Sequence, residues 1–179
     1  KNTLIIFASD NGAAIQAPIK ILNCNAGFKG RKGTLYEGGI RVPFIVNQLG
    51  MVPIQTLDNL IYFPDMMPTL AALAKGTKHL PKQINGINIL PLFYGKQVDT
   101  DNRLLYWEFP GKQRAARKGD WKCVTIHPNQ PLELYNLKED PEETNNLAKK
   151  YPRRVKEFDE EMQRMHIPTP NWPQPGEQF

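Results

Sequence analysis

Two clusters in this sequence have the residue types and spacing for ionic chemistry. Asp10-Asn11-Gly12 closes the apolar, β-type run from Thr3 to Ser9. A carboxylate beside a neutral amide oxygen makes a pair of hard ligands of the kind Ca²⁺ or Mg²⁺ takes, and neither is an imidazole or a thiolate. Taken alone, the triplet also describes an Asx turn at the end of a strand. The second cluster surrounds Lys32, where Gly27, Gly30, Gly33, Gly38 and Gly39 punctuate 13 residues. Glycines this dense mark backbone in special φ/ψ regions or in close approach to another group. Lys32 then puts a point charge on a long stem where a ligand can come close, although an ordinary solvated loop lysine satisfies the same sequence. Glu37 and Arg41 read as residues that hold this loop through ion pairs or backbone hydrogen bonds.

The elements that must position these residues follow from periodicity. Residues 3–9 and 42–47 are apolar runs bounded by turn residues, which predicts two strands with the glycine loop between them. Phe63, Met66, Met67, Leu70, Leu73 and Ala74 recur at helical spacing, and Pro64 and Pro68 place the helix start near Asp65. The Met pair is expected to fill core. From Arg103, four short strands are predicted at 103–109, 113–117, 121–126 and 132–136, with turns at Pro110-Gly111, Lys118-Gly119-Asp120 and His127-Pro128-Asn129, hence an antiparallel meander. Asp140-Pro141-Glu142-Glu143 has the signature of a helix start. Val155, Phe158, Met162 and Met165 on a charged background predict an amphipathic helix over 152–166 lying on the sheet. Pro168, Pro170, Pro173 and Pro175 then leave an extended tail.

Composition sets the outer bounds. With 179 residues, 40% hydrophobic, 9% aromatic and 23% charged, the chain is globular rather than disordered or collagen-like. No run of 18 uncharged apolar residues exists, which argues against a membrane span. Lacking an initiator Met and entering a strand within three residues, the sequence reads as the interior or carboxyl part of something longer. Lys1, Lys20, Lys29, Arg31, Lys32 and Arg41 face only Asp10 and Glu37 in the first 50 residues, so most of the formal +5 charge sits early and favours anionic ligands. A basic run with interleaved aromatics is missing, which disfavours nucleic acid. Cys24 and Cys123 fit no CxxC or zinc spacing, so a disulfide framework is not expected and the redox compartment stays open. His79, His127 and His166 are poor catalytic candidates by position. Trp107 and Trp121 read as packing residues, and Trp172 as an anchor of the tail or a contact for a partner.

Four blocks in order carry a family resemblance: Ser9-Asp10-Asn11-Gly12; Gly30-Arg31-Lys32-Gly33-Thr34-Leu35-Tyr36-Glu37-Gly38-Gly39-Ile40-Arg41-Val42-Pro43; Asp65-Met66-Met67-Pro68-Thr69-Leu70; and Leu134 to Leu147. Together they resemble the second half of the catalytic domain of the type I sulfatases, of the arylsulfatase kind. The resemblance implies a fold of the α/β class: a partial alkaline-phosphatase-like mixed sheet over 1–100, then a small four-stranded antiparallel sheet with a packed helix over 101–179. It implies that Asp10 and Asn11 complete a divalent-cation site, with Ca²⁺ favoured over Mg²⁺ and over the zinc of related phosphatases, whose sites place His there. It makes Lys32 the lysine that contacts the substrate sulfate and leaves Lys29 and Arg31 as steering or surface charges. The partners implied are a sulfated small molecule or glycan and the missing upstream half of the domain; the compartment implied is periplasmic or secreted.

The family's nucleophile is a Cys or Ser, converted to formylglycine, in a Cys/Ser-x-Pro-x-Arg motif. Cys24 is followed by Asn25-Ala26 and Cys123 by Val124-Thr125, so neither fits. The fragment alone is therefore expected to be inactive. A phosphate or phosphonate ester hydrolase of the same superfamily, or a binding module that kept the fold, remain as alternatives that the upstream sequence separates. Strands 3–9 and 42–47, without upstream neighbours, would expose an apolar edge through which the fragment could self-associate.

Overall fold

A computed structural model describes residues 2–17, 19–109, 113–127, 129–170 and 178. The expected turn at Pro110-Gly111, Pro128, and the tail residues Trp172, Pro173 and Pro175 lie outside the described residues. In chain order the elements are β1 (Ile5–Ala8), α1 (Ile19–Leu22), α2 (Glu37–Ile40), β2 (Phe44–Asn47), α3 (Met66–Leu73), α4 (Leu90–Phe93), β3 (Leu104–Phe109), β4 (Gln113–Lys118), β5 (Trp121–Thr125), β6 (Glu133–Asn136) and α5 (Pro152–Met165). Short 3₁₀ turns at Phe63–Asp65 and Thr77–His79 flank α3. None of the described helices is long and apolar enough to cross a membrane.

The contacts gather the chain into two units: residues 1–8 with 44–103, and residues 9–43 with 104–179. The glycine loop thus groups with the meander, which a division near residue 100 does not anticipate.

In the first unit β1 and β2 pair antiparallel, with Phe7 opposite Ile45 and Ile6 opposite Val46. Alternation sends Ile6, Phe44 and Val46 onto Ile89, Leu92 and Phe93. The other face leaves Ile5, Phe7 and Ile45 about 60% exposed. α3 begins directly after Asp65, and Pro68 sits in its first turn, where proline is tolerated. Asp65 is fully buried. It accepts the Tyr62 and Ile87 N–H groups at 3.0 and 2.9 Å and takes both Arg103 guanidinium nitrogens at 2.6 Å. This bidentate pair ties the helix start to the chain entering β3. Of the Met pair only Met66 packs against the core; Met67 is 55% exposed, one position around the helix from the packed face.

The second unit holds the predicted meander, in the order β3-β4-β5-β6 and antiparallel throughout. Its strands are buried on both sides. Ala116, Cys123 and Leu134 face α5 through Phe158 and Met162, with Trp121, Tyr151 and Val155 beside them. Ala115, Val124 and Tyr135 face Leu35 and Tyr36 of the glycine loop, with Trp107 alongside. Both tryptophans therefore pack.

One expected element is absent: residues 140–150 form turns rather than a helix. The Asp140 carboxylate does cap, accepting Thr144 N–H, Thr144 Oγ1–H and Asn145 N–H at 2.8–3.0 Å. Glu143, however, takes a left-handed φ of 56°, because its side chain is drawn inward to buried partners instead of outward as a helix would place it.

Candidate functional site

The Asp10-Asn11 turn closes on itself. Ser9 Oγ donates to the Asn11 carbonyl at 2.8 Å, and Asn11 Nδ2 donates to Asp10 Oδ1 at 2.8 Å. Asp10 Oδ2 and Asn11 Oδ1 keep no hydrogen-bond partner among the described residues, so two hard oxygens remain available on adjacent residues.

The turn rests on α2. Gly12 N–H donates to the Gly39 carbonyl at 2.9 Å, and a Cβ at Gly12 would lie 1.8 Å from the Gly38 carbonyl oxygen. The Lys32 loop meets the same support from another side: a Cβ at Gly39 would lie 2.0 Å from the Thr34 carbonyl oxygen, and Gly38 N–H donates to Lys29 O at 2.7 Å. Lys32 N–H donates to Ala13 O at 3.0 Å, closing loop and turn together. The turn can approach α2 this closely only because Gly12 has no side chain, and the Lys32 loop only because α2 has none at 38 and 39.

Between them lies a cleft of about 640 Å³ lined by Asn11, Gly12, Cys24, Phe28, Lys32 and Arg41 among others. That is ligand-sized, since small-molecule pockets run roughly 300–1,000 Å³. The exposed Lys32 ammonium has no partner among the described residues. Arg41 stacks over Phe28, 4.7 Å from the ring centroid. The cleft thus presents the positive charges of Lys32 and Arg41 over walls of small residues, a setting for an anion.

Lys29 is not a steering charge. Its ammonium donates to Tyr135 Oη at 3.0 Å, lies 3.5 Å from Glu133 Oε2 and sits 4.0 Å from the centre of the Tyr36 ring. Glu133 also accepts both phenols, Tyr36 and Tyr135, at 2.7 Å. Burial, reinforced by that carboxylate, pushes both phenols above the ordinary tyrosine range and keeps them as donors. Arg31 is exposed, in keeping with a surface charge.

Glu37 and Arg41 do hold the loop. Glu37 is buried, with Oε1 2.9 Å from the Lys122 ammonium and Oε2 3.7 and 3.6 Å from Arg41 and Arg117. Lys122 and Glu143 are the residues that sequence reasoning missed. The fully buried Lys122 ammonium stands 2.9 Å from Glu143 Oε1, a charge contact without hydrogen-bond alignment. Glu143 Oε2 accepts the Glu37 N–H at 2.6 Å. Burial raises the Glu143 carboxyl above its ordinary value. A lysine between Trp121 and Cys123 in a strand with no solvent face was the available signal, had burial on both sides been foreseen.

The histidines and Cys123 stand apart from the cleft. His79 and His127 are exposed. His166 Nδ1 lies 2.5 Å from Glu108 Oε1, a contact with β3 rather than with a helix end alone. Burial pushes the Cys123 thiol up to about 12, which leaves it inert; Cys24 is exposed at the cleft. For a divalent cation the Asp10 and Asn11 oxygens fit in kind. In number they fall short, because no cluster of three or more His, Cys, Asp or Glu side chains forms among the described residues, whereas Ca²⁺ takes six to eight oxygens.

Known proteins place this architecture. Residues 28–167 match the family described as N-sulphoglucosamine sulphohydrolase, C-terminal. A sulfatase of Formosa agariphila is 32% identical over 169 residues, covering 85% of this chain and 30% of that protein. A Bacteroides thetaiotaomicron structure, described under metabolism of multiple glycosaminoglycans, superposes with a TM-score of 0.77 at 28% identity, over 91% of this chain and 38% of the other. The structure of Ps i-CgsB in complex with k-i-k-neocarrahexaose gives 0.76 at 26% identity, over 98% and 39%. The chain spans about a third of the length of the curated relatives it matches. From the ordered motifs, the α/β fold with its terminal meander and helix, and these likenesses together, the chain belongs to the type I sulfatases, as a carboxyl-terminal part of that family's chain.

Proposed function

We propose that this chain forms part of an enzyme that hydrolyses sulfate esters, with Lys32 contacting the substrate sulfate and Asp10 and Asn11 among the ligands of a Ca²⁺ ion, Mg²⁺ being the second choice. The observation that carries this reading is the shared cleft: Asn11 and Lys32 line one ligand-sized space, and Lys32 brings into it an ammonium with no partner among the described residues. A divalent ion held there would supply positive charge opposite the sulfate. Lys32 would neutralise charge that grows on the sulfate oxygens as the S–O ester bond breaks, and donors that act on developing charge are among the largest contributors to catalysis. The nucleophile, a formylglycine, is expected in the upstream residues, so these 179 residues alone should be inactive and bind calcium weakly. Those upstream residues are also the natural cover for Ile5, Phe7 and Ile45.

Sulfated carbohydrate is the favoured substrate class, supported by the neocarrahexaose complex of one relative and the glycosaminoglycan context of another. The test is hydrolysis by the full-length protein, offered an aryl sulfate, sulfated oligosaccharides and an aryl phosphate with and without a calcium chelator. Sulfate release that the chelator suppresses is expected. Phosphate release with the sulfates untouched would replace this reading with the phosphohydrolase alternative, and an upstream sequence lacking the Cys/Ser-x-Pro-x-Arg motif would replace it with the binding module.

A further inference from the structure

We infer that the buried group Lys122, Glu143 and Glu37 is a positioning device for the cleft, setting the separation of the Lys32 loop from the Asp10-Asn11 turn. The inference rests on the sulfate-binding reading of that cleft. Its geometry is independent of it.

The chain of contacts is short. Lys122 lies on β5, the third strand of the meander, and is fully buried. Its ammonium joins two carboxylates at 2.9 Å each, Glu37 at the start of α2 and Glu143 in the loop after β6. Glu143 in turn holds the Glu37 backbone N–H at 2.6 Å from a left-handed backbone that glutamate rarely adopts. α2 is therefore fixed to the sheet through one side chain and one main-chain group of the same residue.

Both cleft segments meet α2: Gly12 N–H reaches Gly39 O and Gly38 N–H reaches Lys29 O, at 2.9 and 2.7 Å, while Lys32 N–H joins loop to turn directly at Ala13 O, 3.0 Å away. α2 is only four residues long, so its own hydrogen bonds cannot hold it rigid. A buried ion group is a poor source of net stability, and apolar residues of like volume often do as well or better. Keeping three charges here is better accounted for by placement, since a carboxylate and an ammonium specify both distance and direction where a methyl group would slide.

The first test is hydrogen exchange on the full-length protein. Glu143→Gln removes the charge but keeps an acceptor for the Glu37 N–H; Glu143→Ala removes both. Exchange at the amides of Gly12, Lys32, Gly38 and Gly39 should rise in the order wild type, Gln, Ala, while the amides of β4 and β5 stay protected. Uniform acceleration across the meander, or none at the cleft, would overturn the inference. Glu143→Gln carries this test if Glu143→Ala fails to fold.

The second test is a double-mutant cycle on sulfate release. Glu143→Gln should lower kcat about tenfold with KM changed by less than about threefold, the signature of misplacement rather than lost substrate binding. In a Lys32→Ala background the same change should cost little more, because the group to be placed is already gone. Equal losses in both backgrounds would make Glu143 merely structural and overturn the inference. Wild-type activity in Lys32→Ala itself would instead refute the sulfate-binding reading, leaving the exchange result to decide the positioning role.

Discussion

Both units of the chain contain antiparallel sheet, yet they bury it differently. The β1–β2 pair covers one face with Ile89, Leu92 and Phe93 and leaves Ile5, Phe7 and Ile45 open. The β3–β6 meander is covered on both faces, by α5 on one and by the residues beside the glycine loop on the other. A complete core and an uncovered face in one chain show that sequence distance is a poor guide to what a segment is built on: the candidate site loop, written between the two strands of the first unit, is anchored in the second.

The comparison can be broken or sharpened by substitution, read by chemical denaturation of this chain. The largest effect is expected in the first unit's polar anchor. Asp65→Ala strands the Arg103 guanidinium and should cost about 3–5 kcal/mol, the usual penalty for removing one partner of a buried pair. Next, Leu134→Ala in the doubly covered meander should cost about 2–5 kcal/mol, by lost burial plus the cavity left behind. Phe7→Ala on the open face should cost less than about 0.5 kcal/mol, while lowering the association state seen by light scattering at high concentration. Equal costs for Leu134→Ala and Phe7→Ala would erase the distinction between the two sheets.

An effect between those of Leu134→Ala and Phe7→Ala sits in the loop after β6. Asp140→Ala removes the acceptor of three hydrogen bonds and should cost about 1 kcal/mol, in the range of a lost capping residue. Burial works against the Asp140 charge, but the hydrogen bonds from Asn145 and Thr144 outweigh it and hold the carboxyl below its ordinary 3.8. A depressed acid contributes its stability above the unfolded-state value and loses it as pH falls through the folded one. The difference between wild type and Asp140→Ala should therefore be full at neutral pH and shrink below about pH 4.

How much of this was legible depends on where the constraint lay. The meander and α5 were readable because alternation and the Val155, Phe158, Met162 spacing are local signals. The strands at 5–8 and 44–47 were readable for the same reason. Three things were not. Met67 falls inside a helical pattern whose stripe is narrower than its apolar residues suggest. Asp140 to Glu143 has the letters of a helix start, but Glu143 answers to Lys122, a residue about twenty positions earlier that meets it only in the fold. Lys29 reads as a steering or surface charge in the sequence because Glu133, Tyr135 and Tyr36, which surround it, come from distant segments. Asp10, Asn11 and Lys32 are candidates that their motifs propose; that Asn11 and Lys32 line one cleft is visible only in the fold.

The central claim, that Lys32 meets the substrate sulfate, is most directly tested by kcat/KM of the full-length protein on an aryl sulfate. Lys29 cannot serve as the control, since its removal would disturb Glu133 and two tyrosines; exposed Arg31, one residue from Lys32 with the same charge, can. Lys32→Ala should lower kcat/KM by at least about tenfold, and by 10²–10³ if its contribution matches the roughly 2.7–4 kcal/mol typical of a lost donor to developing charge. Arg31→Ala should lower it by less than about threefold, in a manner that added salt removes. Similar small, salt-sensitive losses in both variants would contradict the account and reduce Lys32 to one charge in a diffuse positive field.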